Sequence, residues 1–442
     1  MTGRPATLSR LALVAGDILL ANTGVAIAFL LRFQGLPPDY NWDAYLRLAP
    51  WLSGLTVAVL AAYDLYEERW RPVRDLRRRL LLGLGLMFAL LLVAGFLLAD
   101  IGLPRSVYLL AALLELPLFY AWRRFYQERR FGQRPTRVIQ VSPDGHRGPI
   151  VAPAELGPHP RFTELPAAAA EGAPARADVL LLAGDLAQSL REHLFIEALA
   201  RGIPCYWQPS VYDGLVAQAR LTVLGERPYL ALAPVALPWT RTWGKRLFDL
   251  LLGSALLVAT LPLMVLIAVA VVADSGWPPF YTQERVTDGH RIFRLWKFRT
   301  LMQDWEARQG GPRLTAADGE GVTRVGRWLR HSHLDELPQL WNVVRGDMSL
   351  VGPRPERPVF VDDFRRRTPA YDLRHHVRAG VTGLAQVGGH YFSTPEEKLQ
   401  MDLAYARRPS LWQDVRILLH TLEQLFHRTP RTPEQQRSSS TR

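Results

Sequence analysis

The stretch Leu80-LLGLGLMFALLLVAGFLL-Ala99 runs for twenty residues without a charge. At about 1.5 Å per residue a helix of that length crosses the roughly 30 Å hydrocarbon core of a bilayer while satisfying its own backbone hydrogen bonds. That reading makes the chain a helical membrane protein, and the neighbouring sequence agrees. Weaker apolar blocks lie at Leu11–Leu31, which contains Asp17, at Leu48–Tyr63, and at Ser106–Trp122, which contains Glu115 and Pro117. Together they predict an α-helical bundle of four spans over residues 1–134. An acid inside a span is either a functional contact or a structural one. Asp17 is expected to be structural, near an interface or paired within the bundle.

The loops orient the bundle. Arg69, Arg71, Arg74, Arg77, Arg78 and Arg79 separate the second and third spans, and Arg123, Arg124, Arg129, Arg130, Arg134 and Arg137 follow the fourth. The first and third loops carry only Arg32, Arg47 and Arg105. Excess Lys and Arg marks the cytoplasmic side, so both ends of the bundle are expected inside, in an inner-membrane type of protein with cytosolic soluble parts. The first block is too long for a cleavable signal, and no small-residue cleavage site follows it. The averages hide this organisation. Across 442 residues that are 48% hydrophobic with a formal charge of +12, apolar blocks and arginine-rich segments cancel to a mean hydropathy near zero. The single cysteine, Cys205, excludes an intramolecular disulfide framework and a four-thiolate zinc site.

A fifth block, Leu250–Ala273, is interrupted by Gly253, Ser254, Thr260 and Pro262 and has basic flanks on both sides: Arg241, Lys245 and Arg246 before, Arg285, Arg291 and Arg294 after. A simple span would place one of those flanks outside. Pro262 removes a backbone donor and crowds the preceding turn, so a kinked segment could enter and return to the same face, with the Thr260 hydroxyl available to freed backbone groups. On these residues, re-entrance and an ordinary fifth span both remain open.

Residues 135–240 read as a small cytosolic α/β domain. Strands are expected at Arg137–Val141, Ala177–Ala183 and Ile203–Tyr206, with an amphipathic helix at Leu186–Ala200. A Rossmann-like nucleotide site needs a glycine-rich turn after the first strand. Ser142-Pro143-Asp144-Gly145-His146 offers one glycine, so the domain is expected to be degenerate and ligand-free, serving packing or regulation. The run Ala167–Ala177 reads as a loop, and residues 428–442 as a disordered tail.

The remaining part, 241–427, is polar from Asp274 onward and shows no His/Cys zinc spacing, nucleophile elbow or Walker loop. Its chemistry sits in short clusters of charge, glycine and proline. Leu334, Leu337, Leu340, Trp341 and Val344 recur at helical spacing, with Pro338 tolerable only in a first turn. Asp335 and Glu336 then stand at a helix start, where the dipole favours negative charge. Adjacent carboxylates on a helix diverge by about 100°, so one could attack while the other binds a divalent ion. A cap followed by a first-turn acid explains the pair equally well when it is taken alone. Arginine shifts the balance, because its planar fork matches phosphate oxygens. Arg354 lies between two prolines in a turn that could fix its direction. Lys297 and Arg299 alternate with Phe298, so on a strand they would share one face. Most other arginines here are expected to face solvent or lipid headgroups.

At this point the residues resemble a family. Lys245-Arg246-x-x-Asp249, Gln283-Glu284-Arg285-Val286, Lys297-Phe298-Arg299-Thr300, Leu334 to Gln339, Asn342, Gly346 to Pro355, Gly380-Val381-Thr382-Gly383 with Ala385-Gln386-Val387, and Glu396-Glu397-Lys398 with Asp402 and Tyr405 resemble, in order, the bacterial sugar transferases. These are the polyprenyl-phosphate hexose-1-phosphate transferases that start exopolysaccharide, capsule, O-antigen and glycoprotein glycan assembly. Four upstream spans and a soluble insert resemble the large polytopic branch. The resemblance implies a mostly α, membrane-associated catalytic domain with a re-entrant helix at residues 247–273 broken at Pro262. It implies that Asp335 attacks the β-phosphate of a UDP-sugar, releasing UMP and forming a covalent aspartyl-phosphosugar that undecaprenyl phosphate then accepts. It implies that Glu336 helps to hold Mg²⁺ and that Arg354 and Arg378, with Lys297 and Arg299 behind them, contact substrate phosphates. The implied partners are the UDP-sugar, undecaprenyl phosphate and membrane lipids, with a homodimer left open and nucleic acid excluded. The resemblance leans toward galactose or glucose as the hexose without deciding it.

The chain departs from the family pattern at His333, where Ser or Thr is usual, at Thr287 for glycine, at Ala379 for proline and at Leu384 for tryptophan. These changes leave Asp335, Glu336 and Arg354 in place. The rival readings are a non-catalytic membrane scaffold for polysaccharide assembly and a transporter built on the four spans. The first would be favoured by loss of those three residues; the second by polar lining and an internal repeat, which the spans lack beyond Asp17 and Glu115.

Overall fold

The computed structural model describes residues 6–67, 70–97, 104–132, 135–144, 160–184, 186–217, 219–224, 227–232, 239–303, 305, 319–388 and 395–425. The chain divides into two compact units, residues 1–208 and 209–442. The expected tail at 428–442 lies outside the described residues.

In the first unit, four helices, α1 (Ala6–Phe33), α2 (Asp39–Ala62), α3 (Val73–Leu97) and α4 (Arg105–Phe131), close a bundle. In it α1 packs on α2 and α4, and α3 packs on the same two. Small residues set the helix spacing: a Cβ on Gly24 would come within 2.5 Å of Glu115 Cγ, and one on Gly16 within 2.4 Å of the Trp122 ring. Asp17 pairs with Arg123 of α4, both side chains being buried, so the acid is paired inside the bundle. Large apolar side chains such as Leu19, Trp51, Leu81 and Leu113 point outward, as a lipid-facing bundle requires. By length and composition, however, only Arg10–Phe33 and Asp39–Ala62 qualify as spans among the described residues of this unit. Arginines at 74 and 77–79 occupy the start of α3, and the expected third span ends in residues that are not described. Helix α4 mixes Glu115 with four arginines in its second half.

The same unit ends in a four-stranded parallel sheet, β1 (Arg137–Ser142), β2 (Arg161–Pro166), β3 (Val179–Leu182) and β4 (Cys205–Trp207), in the order β2-β1-β3-β4. Helices α5 (Ala173–Arg176) and α6 (Gln188–Ala200) accompany it. Strand β2 was not anticipated from the sequence. The expected loop at Ala167–Ala177 instead contains a 3-10 turn and α5, because Ala170, Ala173 and Ala177 are core residues against Leu180, Leu182 and Leu194. The turn after β1 is not described from Gly145 onward.

The second unit starts with α7 (Val211–Val216) and the hairpin β5 (Arg220–Leu224) and β6 (Arg227–Ala231), followed by α8 (Trp239–Ser275). Helix α8 has 37 residues, about 55 Å at 1.5 Å each, and is long and apolar enough to cross a membrane. Pro262 lies inside it without ending it, a difference from the expected break. Thr260 donates its hydroxyl to Leu256 O at 2.8 Å, one turn back. One face of α8 is packed along its length. Phe248, Leu252 and Leu257 meet a core of Leu295, Val343, Met348 and Leu350, whereas Met264, Ile267 and Val271 meet Phe298 and Leu329. The other face leaves Leu251, Val258, Leu266 and Val269 exposed.

The antiparallel pair β7 (Phe280–Val286) and β8 (Ile292–Phe298) follows, then α9 (Arg324–Ser332), a 3-10 turn at Leu334–Glu336, and α10 (Gln339–Arg345). Next come β9 (Ser349–Val351), α11 (Pro358–Arg367), a 3-10 segment at Pro369–His376, β10 (Gly380–Thr382), α12 (Leu384–Gly388), α13 (Pro395–Arg407) and α14 (Leu411–Leu425). Strands β9 and β10 are parallel and extremely close: a Cβ on Gly380 would lie 2.1 Å from Gly352 N, and one on Gly352 2.2 Å from Arg378 O. Glycine is required at both positions by backbone contact.

Candidate active site

The acidic pair sits where two helices are joined. Thr323 caps α9 by accepting the Gly326 N–H, and the helix ends at His333, whose φ of 56° lies in the left-handed region. That reversal starts the 3-10 turn carrying Asp335 and Glu336, after which Pro338 introduces α10. The acids thus precede the α-helix instead of occupying its first turn, because the left-handed residue resets the backbone. Leu334 and Leu337 anchor the turn in the core beneath α8.

The two carboxylates have different environments. Glu336 Oε1 accepts from Lys297 Nζ at 2.6 Å and from Arg354 Nη2 at 2.9 Å. Those two cations outweigh burial and hold its carboxyl well below the usual carboxylate range. Asp335, 8% exposed, has no hydrogen-bond donor on its carboxylate among the described residues. Burial pushes its pKa up and Glu336 adds to the effect, while Lys297, His333 and Arg330 oppose it. One acid is therefore a fixed anion clamped by cations, and its neighbour is an unclamped, more basic carboxylate.

The cations are themselves positioned. Lys297 projects from β8, which Asn342 fastens to α10 by accepting Trp296 N–H at 3.0 Å and donating to Arg294 O at 2.8 Å. The turn bearing Arg354 is fixed on three sides: Gly380 N–H donates to Pro353 O, Arg374 to Arg354 O and Arg285 to Pro355 O, at 2.9, 2.9 and 3.0 Å. Arg374 is buried and held by Asp402 at 2.6 Å. The Arg354 side chain remains 48% exposed, able to reach a ligand from a rigid base. Arg330, whose Nε donates to Thr300 Oγ1 at 2.9 Å, adds a cation toward Asp335.

Such a constellation has the charges that a nucleophile beside a bound diphosphate needs. Residues 240–428 match the family described as Bacterial sugar transferase. A UDP-glucose:undecaprenyl-phosphate glucose-1-phosphate transferase of Caulobacter vibrioides is 39% identical over 189 residues, covering 41% of this chain and 69% of that protein. The chain belongs to the bacterial sugar transferase family. It is also similar to a UDP-N-acetylgalactosamine-undecaprenyl-phosphate N-acetylgalactosaminephosphotransferase of Aeromonas hydrophila, 38% identical over 246 residues, covering 55% of this chain and 56% of the relative. A UDP-glucose:undecaprenyl-phosphate glucose-1-phosphate transferase of Escherichia coli is 33% identical over 225 residues, covering 48% of this chain and 47% of the relative. The match thus spans about half the length of these last two.

In this bacterial sugar transferase the structure joins Asp335, Glu336, Lys297 and Arg354 in one cluster. Arg299 and Arg378 make their described contacts elsewhere. Arg299 lies one residue past β8 and donates to Ser275 O at 2.7 Å and to Gly276 O, closing the C-terminal end of α8. Arg378 Nε faces Asp288 Oδ2 at 3.5 Å. Pro262 lies within α8. Sequence reading gave no role to Arg374 or Arg330; the family motif did include Asp402, and its burial identifies Arg374 as the partner. Lys245, likewise in a motif, bridges buried Asp249 and Asp414 at 3.2 and 2.9 Å. It fastens α8 to α14.

Proposed function

We propose that this bacterial sugar transferase moves a hexose 1-phosphate from a UDP-sugar to undecaprenyl phosphate. The observation that carries the proposal is the buried, unclamped Asp335 carboxylate beside a Glu336 held by Lys297 and Arg354. An Asp335 carboxylate oxygen attacks the β-phosphorus, the bond from that phosphorus to the bridging oxygen breaks, and UMP leaves with the electron pair. The phosphosugar is then an acyl phosphate on Asp335. A phosphate oxygen of the lipid attacks the same phosphorus, expelling the carboxylate and giving a polyprenyl-diphosphate sugar. Arg354 reaches from its fixed turn to the diphosphate, and Lys297 neutralises charge close to the attacking oxygen.

Glu336 fits as one carboxylate ligand of Mg²⁺, since Mg²⁺ is commonly held by one or two carboxylates plus substrate phosphates and Glu336 stays ionised. Mg²⁺, when bound, neutralises charge on the transferring diphosphate. The names of the relatives include both glucose and N-acetylgalactosamine, which supports a hexose or N-acetylhexosamine as the transferred sugar. The step would begin an exopolysaccharide, capsule or O-antigen pathway.

The membrane arrangement belongs to the same proposal: four spans with both ends in the cytosol, and a re-entrant α8. Helix α8 is fastened to its own domain at both ends, Arg246 donating to Val343 O at 2.6 Å and Asp274 accepting Val325 N–H at 2.9 Å. With contacts between them as well, its packed face supports re-entrance over a span that would leave the domain. The sheet at residues 137–207 is read as a degenerate, ligand-free Rossmann-like domain.

The purified protein with Mg²⁺, undecaprenyl phosphate and a panel of UDP-glucose, UDP-galactose and their N-acetylated forms is expected to release UMP. Asp335→Asn is expected to abolish release. Unchanged release by that variant would refute the nucleophile, and no release with any sugar would favour a scaffold.

A further inference from the structure

We propose that His290, Asp372 and His375 form a binding site for a late first-row divalent ion such as Zn²⁺, separate from the Asp335–Glu336 centre. Each of the three offers one donor atom, and these atoms all lie within 4.8 Å of one another. Two imidazoles and a carboxylate make a donor set suited to Zn²⁺ and its neighbours and poorly suited to Mg²⁺.

Two independent observations point to a ligand. His375 is 6% exposed, and its Nδ1 is buried without a hydrogen-bond partner. Buried imidazole nitrogens are normally satisfied by a hydrogen-bond partner. The second observation is convergence on a cation. Arg365 donates to Asp372 Oδ1 at 2.8 Å and places Nη2 3.0 Å from His290 Nδ1. A guanidinium therefore bridges two of the three residues. It also pairs with Asp362, 3.8 Å from Nη1. His290 itself is held at φ 61°, a conformation that a non-glycine residue rarely adopts, with its ring 4.9 Å from that of His375.

The other charged neighbours are engaged elsewhere: Arg374 with Asp402, Tyr371 and Arg354 O, and Asp288 with Arg291 and Arg378. An ion here would tie the turn between β7 and β8 to the 3-10 segment at Pro369–His376. It would thereby steady Asp288, which faces Arg378.

The test uses the full chain in detergent, stripped with a chelator and titrated with Co²⁺ while its visible ligand-field absorption is followed. One equivalent is expected to bind, with Zn²⁺ displacing it and excess Mg²⁺ leaving it in place. His290→Ala and Asp372→Asn are expected to weaken binding by at least about tenfold, and Arg365→Ala, which removes the competing cation, to strengthen it. His290 is exposed, so its variant keeps the test sound if His375→Ala does not fold. Absence of absorption in the wild type, absorption unchanged in both His290→Ala and Asp372→Asn, or displacement by Mg²⁺ would overturn the proposal. None of these readouts depends on UMP release, so the site and the transferase reading stand or fall separately.

Discussion

Asp335 and Glu336 are neighbours with opposite energetics. Glu336 stabilises the fold while ionised: its pKa is depressed, so this contribution is present above its ordinary value of 4.5 and is lost as pH falls through the lowered one. Asp335 behaves in the reverse sense. Its folded pKa is raised, so stability is greatest below the ordinary 3.8 and declines as pH rises through the raised value. Once ionised, the nucleophile is thus a strain on the fold. Asp335→Asn is expected to raise the melting temperature while abolishing turnover, and Glu336→Gln to lower it by leaving Lys297 and Arg354 without their anion. Thermal unfolding of the detergent-solubilised variants checks both signs; a lowered melting temperature for Asp335→Asn would contradict the burial argument. Single-turnover UMP release should climb with pH through the raised Asp335 pKa, since only the carboxylate attacks.

At the scale of elements, two departures from the family pattern meet. Ala379 N–H, which a proline would lack, donates to Thr287 Oγ1 at 3.2 Å, a hydroxyl that glycine would not supply. The same hydroxyl reaches Asp347 O at 3.0 Å, so Thr287 links the end of β7, the start of β10 and the loop before β9. Thr287→Gly is expected to cost about 1–3 kcal/mol by orphaning a buried donor, and adding Ala379→Pro should recover part of that. Strictly additive losses in a denaturation cycle would contradict the pairing. This example marks what was legible. The motif residues Asn342, Asp249, Tyr405 and Gly380 were visible in order along the chain, yet their work is to hold segments together, which spacing does not reveal. Asp335, Glu336 and Arg354 stood out through the family motifs, since a helix cap explains the acidic pair equally well when taken alone; the structure adds that Arg354 reaches Glu336. For Arg299 only the shared-face expectation is corrected: alternation put it on the Lys297 face, but the strand stops at Phe298 and the side chain turns to the carbonyls ending α8. The His290, Asp372 and His375 cluster escaped notice because its members come from distant segments.

For the whole molecule, the apolar blocks gave the helical membrane character directly, whereas Asp17 needed its partner Arg123 before it could be understood. Composition could not decide whether α8 spans or returns, since both its flanks are basic and its apolar content suits either. Cysteines introduced at exposed Trp243 and Trp277, in a Cys205→Ser background, test this in intact cells and inverted vesicles. Both are expected to react from the cytosolic face only; labelling from opposite faces would establish a span. The central claim remains the covalent step. Protein incubated with UDP-sugar and Mg²⁺ but no lipid acceptor should, after rapid quenching and digestion, yield the peptide containing Asp335 heavier by one hexose phosphate, with an equal amount of UMP. Absence of that adduct, or its persistence in Asp335→Asn, would contradict the account.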